Sequence, residues 1–187
     1  MQGIFTKIAK WSAALMGGIA LTACSKVVSF VEEVEIDGKT YQVERKEYFE
    51  KRSIQLNFEY VPTESEIYVP GLGLPRWRSD VAPMYLGLSK DRRHVLVCLI
   101  GNAVLRAKRG NPPLPYVAFK ADGNQWIEIP VPPEFDGRKP TFLIGVEGRN
   151  GEKPLIKAQE REFRNKIDAR GNAAGINLKL TKPEGKE

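Results

Sequence analysis

The sequence predicts a mainly β domain, an antiparallel β-sandwich or open barrel with one late α-helix, behind a cleaved N-terminal signal. Two observations predict the sheet. Short alternating or β-branched runs recur along the chain, and turn-forming pairs such as Asp37-Gly38, Asp122-Gly123 and Asn150-Gly151 separate them. Strands joined by such short turns pair antiparallel and close into a sandwich or barrel. A third observation sets the helix apart. From Pro154 to Arg170, Leu155, Gln159, Phe163 and Ile167 recur at fourth positions, with Pro154 suited to a first turn and Gly171 to a C-terminal cap.

The elements follow in order. Val27 to Val34 opens the domain, and Val34 to Val43 reads as a hairpin whose Asp37-Gly38 tip tolerates positive φ. Glu44 to Arg52 is highly charged and reads equally as an exposed strand or a short helix. Ile54 to Tyr60 alternates apolar and polar residues as a half-buried strand does, with Pro62 closing it. Val69 to Pro83 is a long Gly/Pro loop. Met84 to Leu88, His94 to Ile100 and Ala103 to Lys108 read as three strands. Tyr116 to Lys120 and Gln125 to Ile129 form a second hairpin, Thr141 to Val146 an apolar strand, and Ile176 to Leu180 a last one. The organisation expected is a signal at 1–23, one domain at 24–180 and a disordered tail at 181–187.

The first 23 residues carry Lys7 and Lys10, then an apolar stretch from Ala13 to Leu21 broken by Gly17 and Gly18. That run is short for a membrane-spanning helix, which needs about 20 apolar residues, and has signal-peptide proportions. It ends in Leu21-Thr22-Ala23-Cys24. This resembles the lipobox of bacterial lipoproteins, and the resemblance implies cleavage before Cys24 and a diacylglyceryl group on its sulfur. Each buried methylene of an acyl chain contributes about 0.8 kcal/mol, so two or three chains anchor a protein durably. Ser25 follows the cysteine. By resemblance to enterobacterial sorting, that implies outer-membrane delivery with the domain facing the periplasm.

The leader contributes two lysines and no acids to the net charge of +6, which leaves +4 on the remainder. A mildly basic surface beside anionic lipid gains some attraction, but a solvated mixed-charge surface is the simpler account. No basic motif points to nucleic acid. With Cys24 alkylated, Cys98 stands alone in an apolar run and reads as a small core residue.

Residues that would name a reaction are sparse. His94 is the single histidine. It lies four residues from Cys98, about 13 Å along a strand, too far for a nucleophile–base hydrogen bond. One histidine and at most one free thiol leave no usual zinc tetrad. The Asp-Gly pairs lack EF-hand spacing, and Gly71-Leu72-Gly73 lacks the lysine and helix of a phosphate loop. No cofactor is expected, and the chain reads as non-catalytic.

Two basic clusters are the candidate partner-binding residues. Arg76, Trp77 and Arg78 sit in the Gly/Pro loop, where Trp77 either folds back onto the sheet or faces a partner. Arg106, Lys108 and Arg109 precede Asn111-Pro112-Pro113, with Arg106 and Lys108 expected on one strand face. The expected function is a lipid-anchored envelope protein that binds another protein. An immunity lipoprotein against a periplasm-acting toxin is one form of it, and a small-ligand or envelope-polymer binder is the alternative.

Overall fold

The computed structural model describes residues 25–54, 57–144, 155–171 and 180. The leader with Cys24, the Asn150-Gly151 turn, most of the expected Ile176–Leu180 strand and the tail lie outside these residues.

The architecture is mainly β and forms a sandwich of two separate sheets. The first carries β1 (Ser25–Ile36), β2 (Lys39–Ile54), β3 (Asn57–Tyr68), β4 (Trp77–Ser79) and β9 (Leu155–Ile156) in the order β4-β3-β2-β1-β9. The second carries β5 (Ala82–Leu88), β6 (His94–Leu99), β7 (Tyr116–Asp122) and β8 (Gln125–Ile129), each paired with its sequence neighbour. Every described pairing is antiparallel except β1 with β9. The described helices are α1 (Ala103–Lys108), a 3-10 turn at Pro133–Phe135, and α2 (Ala158–Gly171).

The first hairpin forms as its sequence dictates. Asp37 and Gly38 both take positive φ, 50° and 75°, between partners Ile36 and Lys39, as a type I′ turn requires. The charged stretch Glu44–Arg52 is strand, part of β2. Its odd-numbered residues Val43, Arg45, Glu47 and Phe49 point inward and its even ones outward.

Several expectations are corrected. Ile54 to Tyr60 is not one strand. Ile54 ends β2, Asn57 opens β3, and the two are partners. Pro62 does not close a strand but sits within β3, beside a register shift at Tyr48/Phe49, the kind of irregularity that accommodates a proline. Ala103–Lys108 is a helix. Asn102 caps it by accepting from the Leu105 N–H at 2.9 Å. Gly110 (φ 73°) and Asn111 return their N–H groups to Ala107 and Arg106 at 3.0 and 2.9 Å, a Schellman closure. Leu155 and Ile156 belong to β9, so α2 starts at Ala158 rather than Pro154. Of the strand expected at Thr141–Val146, Thr141–Ile144 forms no ladder, and residues 145 and 146 lie outside the described residues.

The core lies between the sheets. Val34, Val43, Ile67 and Trp77 of the first meet Leu86, Leu96, Cys98 and Phe119 of the second. A second cluster of Met84, Val95, Val97, Tyr116 and Phe135 fills the opposite face of the second sheet. β6 is therefore covered on both sides, which explains its unbroken apolar run. Each such fully buried aliphatic side chain contributes about 1.5–3 kcal/mol.

The segment Thr141–Ile144 is wedged beside this core with Phe142 and Leu143 buried. Its backbone groups find partners outside any ladder. Thr141 and Phe142 donate to the Met84 carbonyl. Leu143 N–H donates to Glu32 Oε2 at 2.9 Å and its carbonyl accepts from Arg45 at 2.9 Å. Asn165 of α2 donates to the Phe142 carbonyl and accepts from the Ile144 N–H, both at 2.9 Å. Charged and amide side chains thus replace a sheet neighbour for a buried chain segment, as backbone polar groups out of water require.

Candidate interaction surface

β4 is three residues long, and its pleat separates the first predicted cluster. Trp77 turns inward, 2 % exposed, and meets Phe119 edge-on with ring centroids 5.5 Å apart. The Gly/Pro loop folds back with it. Leu72 and Leu74 pack on the core, and the Trp126 indole N–H donates to the Pro75 carbonyl at 2.9 Å. As a partner contact Trp77 is therefore corrected: burial makes it core.

Arg76 and Arg78 point outward and are about half exposed. Both guanidinium groups stack on tyrosines of the same sheet face, Arg76 over Tyr68 and Arg78 over Tyr48, each 4.3 Å from the ring centroid. Carboxylates hold them there. Arg78 Nε donates to Glu64 at 2.9 Å, and Arg76 reaches Glu66 at 3.3 Å and Glu44 at 3.6 Å. Tyr48 donates its hydroxyl to Glu66 at 2.9 Å, and Lys46 stands 3.5 Å from the same carboxylate. Burial works to raise the Glu66 carboxyl, but the Tyr48 hydroxyl and the Lys46 and Arg76 charges outweigh it and hold the group below its ordinary range. The Tyr48 phenol is pushed up, chiefly because Glu66 holds its proton. The result is a fixed patch of arginine, tyrosine and glutamate.

The tyrosines and glutamates of this patch were not singled out from the sequence. Their signal was present in β2 and β3. Glu44, Lys46 and Tyr48 alternate with buried residues, as do Glu64, Glu66 and Tyr68. What the sequence lacks is the pairing that sets Lys46, Glu66 and Arg78 in one row across three strands.

The second cluster lies on α1, so Arg106 and Lys108 do not share a strand face. Arg106 donates to the Pro112 carbonyl at 3.0 and 2.8 Å and to that of Pro113 at 3.1 Å, pinning the proline-rich turn. Lys108 is exposed. Arg109 donates to Asp80 at 2.6 Å and stands 3.9 Å from Glu128. Burial would raise the Asp80 carboxyl, but Arg109 outweighs it and holds the group below the ordinary range. Asp80 lies two residues after Arg78, so this bond ties α1 to the end of β4. Arg109 and Glu128 also line a shallow groove of about 380 Å³ whose apolar walls include Ile100, Tyr116 and Ile129.

His94 is half-buried at the start of β6 and Cys98 is fully buried in the main core. Burial lowers the His94 imidazole, partly offset by Asp37, and burial pushes the Cys98 thiol well up. Cys98 is a neutral core thiol. Among the described residues, no group of three or more His, Cys, Asp or Glu side chains is placed to hold a metal. No described helix is long and apolar enough to cross a membrane.

The fold defines a two-sheet β-sandwich with an ordered arginine–tyrosine face. Compared with protein-family models, curated proteins and solved structures, the chain matches none.

Proposed function

We propose that this chain is a lipid-anchored protein of the bacterial envelope that binds another protein through the outer face of its first sheet, without catalysis of its own. The anchor rests on Leu21-Thr22-Ala23-Cys24. The observation that carries the binding face is the stacking of Arg76 and Arg78 on Tyr68 and Tyr48. Arginine and tyrosine are enriched among residues that dominate interface energies. Side chains already held in place lose little further freedom on binding, which favours affinity. In the bland alternative the same ladder is a solvated sheet face with no partner.

In-cell crosslinking from a photoreactive group placed at Lys46, followed by mass spectrometry, tests the reading. One dominant protein adduct, lost in the Arg76→Ala/Arg78→Ala variant, supports it. No protein adduct, or one indifferent to that variant, overturns it. A toxin as the adduct selects the immunity form, checked by killing of cells that lack the chain.

A second reading, small-ligand binding, has the groove beside Arg109 and Glu128 in its favour, since about 300–1,000 Å³ is the usual size of such sites. Its test is a ligand-induced rise in melting temperature that Glu128→Ala abolishes.

A further inference from the structure

β1, β2 and β3 form a ribbon whose two ends differ. At one end Val34, Ile36, Val43 and Ile67 are buried against the second sheet. At the other, Glu50, Lys51, Arg52 and Ser53 of β2 and Glu59 and Tyr60 of β3 are all exposed. Alternation has ceased over these residues, so both faces of the ribbon are solvated there. A two-stranded extension of this kind is marginal in water without something to lie on.

The register places this end relative to the anchor. Ser25 is the first residue of β1, partnered by Glu50, which is in turn partnered by Val61. Beyond that rung, among the described residues, only β2 and β3 continue, through Lys51–Tyr60, Arg52–Glu59, Ser53–Phe58 and Ile54–Asn57, about 13 Å at 3.3 Å per residue. Cys24 is bonded to Ser25 and lies about 3.8 Å from it, Cα to Cα. The far rung therefore lies about 13 Å beyond Ser25, the residue to which Cys24 is bonded, along the strand direction. A bilayer headgroup layer is roughly 5–7 Å thick on each side. With acyl chains drawing Cys24 to the leaflet, an upright domain brings the ribbon end into that layer.

The side chains suit the position. Arg52, paired with Glu50 at 3.3 Å, shares this end with Lys51 and Glu59, a mixed-charge set that suits headgroups carrying both signs, and Tyr60, 43 % exposed, carries the amphipathic ring enriched at membrane interfaces. Lys26 stands over that ring, 5.8 Å from its centroid. Exposed Val27 lies at the same end. Resting on the lipidation of Cys24, we propose that this ribbon end, Lys51 to Ser53 with Tyr60, is a second membrane contact that sits among phospholipid headgroups and sets the orientation of the domain.

The test uses the full-length chain processed in a bacterial host, with one added cysteine carrying a polarity-sensitive dye, reconstituted in phosphatidylethanolamine–phosphatidylglycerol vesicles. The mass of the N-terminal peptide reports whether Cys24 bears lipid. Dye at Ser53→Cys is compared with dye at Lys39→Cys, which is exposed at the opposite end of β1–β2. The expected result is iodide quenching several-fold weaker at position 53 than at 39 on vesicles, and equal quenching in the unlipidated Cys24→Ser chain. Equal quenching at both positions of the lipidated chain overturns the membrane contact and leaves the anchor standing. An unlipidated Cys24 overturns both.

Discussion

The Glu32 carboxylate and the Arg45 guanidinium, 2.8 Å apart and both almost fully buried, grip the two sides of one residue, Leu143. Arg45 also reaches Glu47, which accepts from Ser65, and its guanidinium lies 5.1 Å from the Phe30 ring centroid. Burial works against the Arg45 charge, but the two glutamates outweigh it and hold the group protonated at any ordinary pH. Removing one partner strands the other, so Arg45→Met destabilises by about 3–5 kcal/mol. Many buried ion pairs can be replaced together by apolar residues with little loss. This one cannot, because Leu143 would keep an unpaired N–H and carbonyl at about 1–3 kcal/mol each and buried Glu47 would lose its arginine. Glu32→Leu/Arg45→Met therefore stays destabilised, and urea unfolding midpoints of the two variants check it. Recovery to the parent midpoint would show that the pair does not hold Leu143.

Asn165 does for Phe142 and Ile144 what that pair does for Leu143. Its amide both donates and accepts, so Asn165→Asp keeps the bond from Ile144 N–H and loses the bond to the Phe142 carbonyl. Asn165→Ala loses both. Asn165→Ala is expected to cost about 1–3 kcal/mol for each orphaned group, and Asn165→Asp to cost more at neutral pH, because it also buries a carboxylate against the Phe142 carbonyl oxygen. Hydrogen exchange separates the roles: the Ile144 amide stays protected in the Asp variant and exchanges faster in the Ala variant.

The strands were legible where one face is apolar and the turn chemistry is explicit, as at Asp37-Gly38 and in the run from His94 to Leu99. The charged side chains on the inner face also had a sequence signal. Glu32 stands between Phe30 and Val34, and Arg45 between Val43 and Phe49, at the period that buries alternate residues. Their purpose was not legible, because it depends on residue 143, 98 positions away from Arg45. Ala103–Lys108 misled for a local reason. Its alternation over a few residues fits a strand, yet Asn102 and Gly110 supply the start and stop signals of a helix. Thr141–Ile144 has strand composition but no strand neighbour among the described residues, and side chains from β1, β2 and α2 stand in for one.

Asp80 and Arg109 tie α1 to the first sheet and make acid stability testable. The folded Asp80 carboxyl lies below its unfolded value of about 3.9. Its stabilisation is thus complete above that value and disappears as pH falls through the lower, folded value. Both side chains are partly solvated, so the contribution is about 1 kcal/mol or less. Asp80→Asn is expected to unfold in slightly less urea than the parent at pH 7, and the two curves should converge well below pH 3.9. A difference that persists there would assign the loss to packing rather than charge.

Trp77 carries the last prediction, because its burial places two opposed effects on one side chain. Its ring fills the space between the sheets against Phe119, and Trp77→Ala should destabilise by about 3–5 kcal/mol. Its indole N–H, however, is buried with no hydrogen-bond partner, and such an orphan donor costs about 1–3 kcal/mol. Trp77→Phe removes that donor while keeping most of the apolar contact, so the two terms partly cancel. The expected urea midpoint of Trp77→Phe lies close to the parent and far above Trp77→Ala. A Phe variant as unstable as the Ala variant would mean that the indole N–H is satisfied in solution, with a buried water as its acceptor.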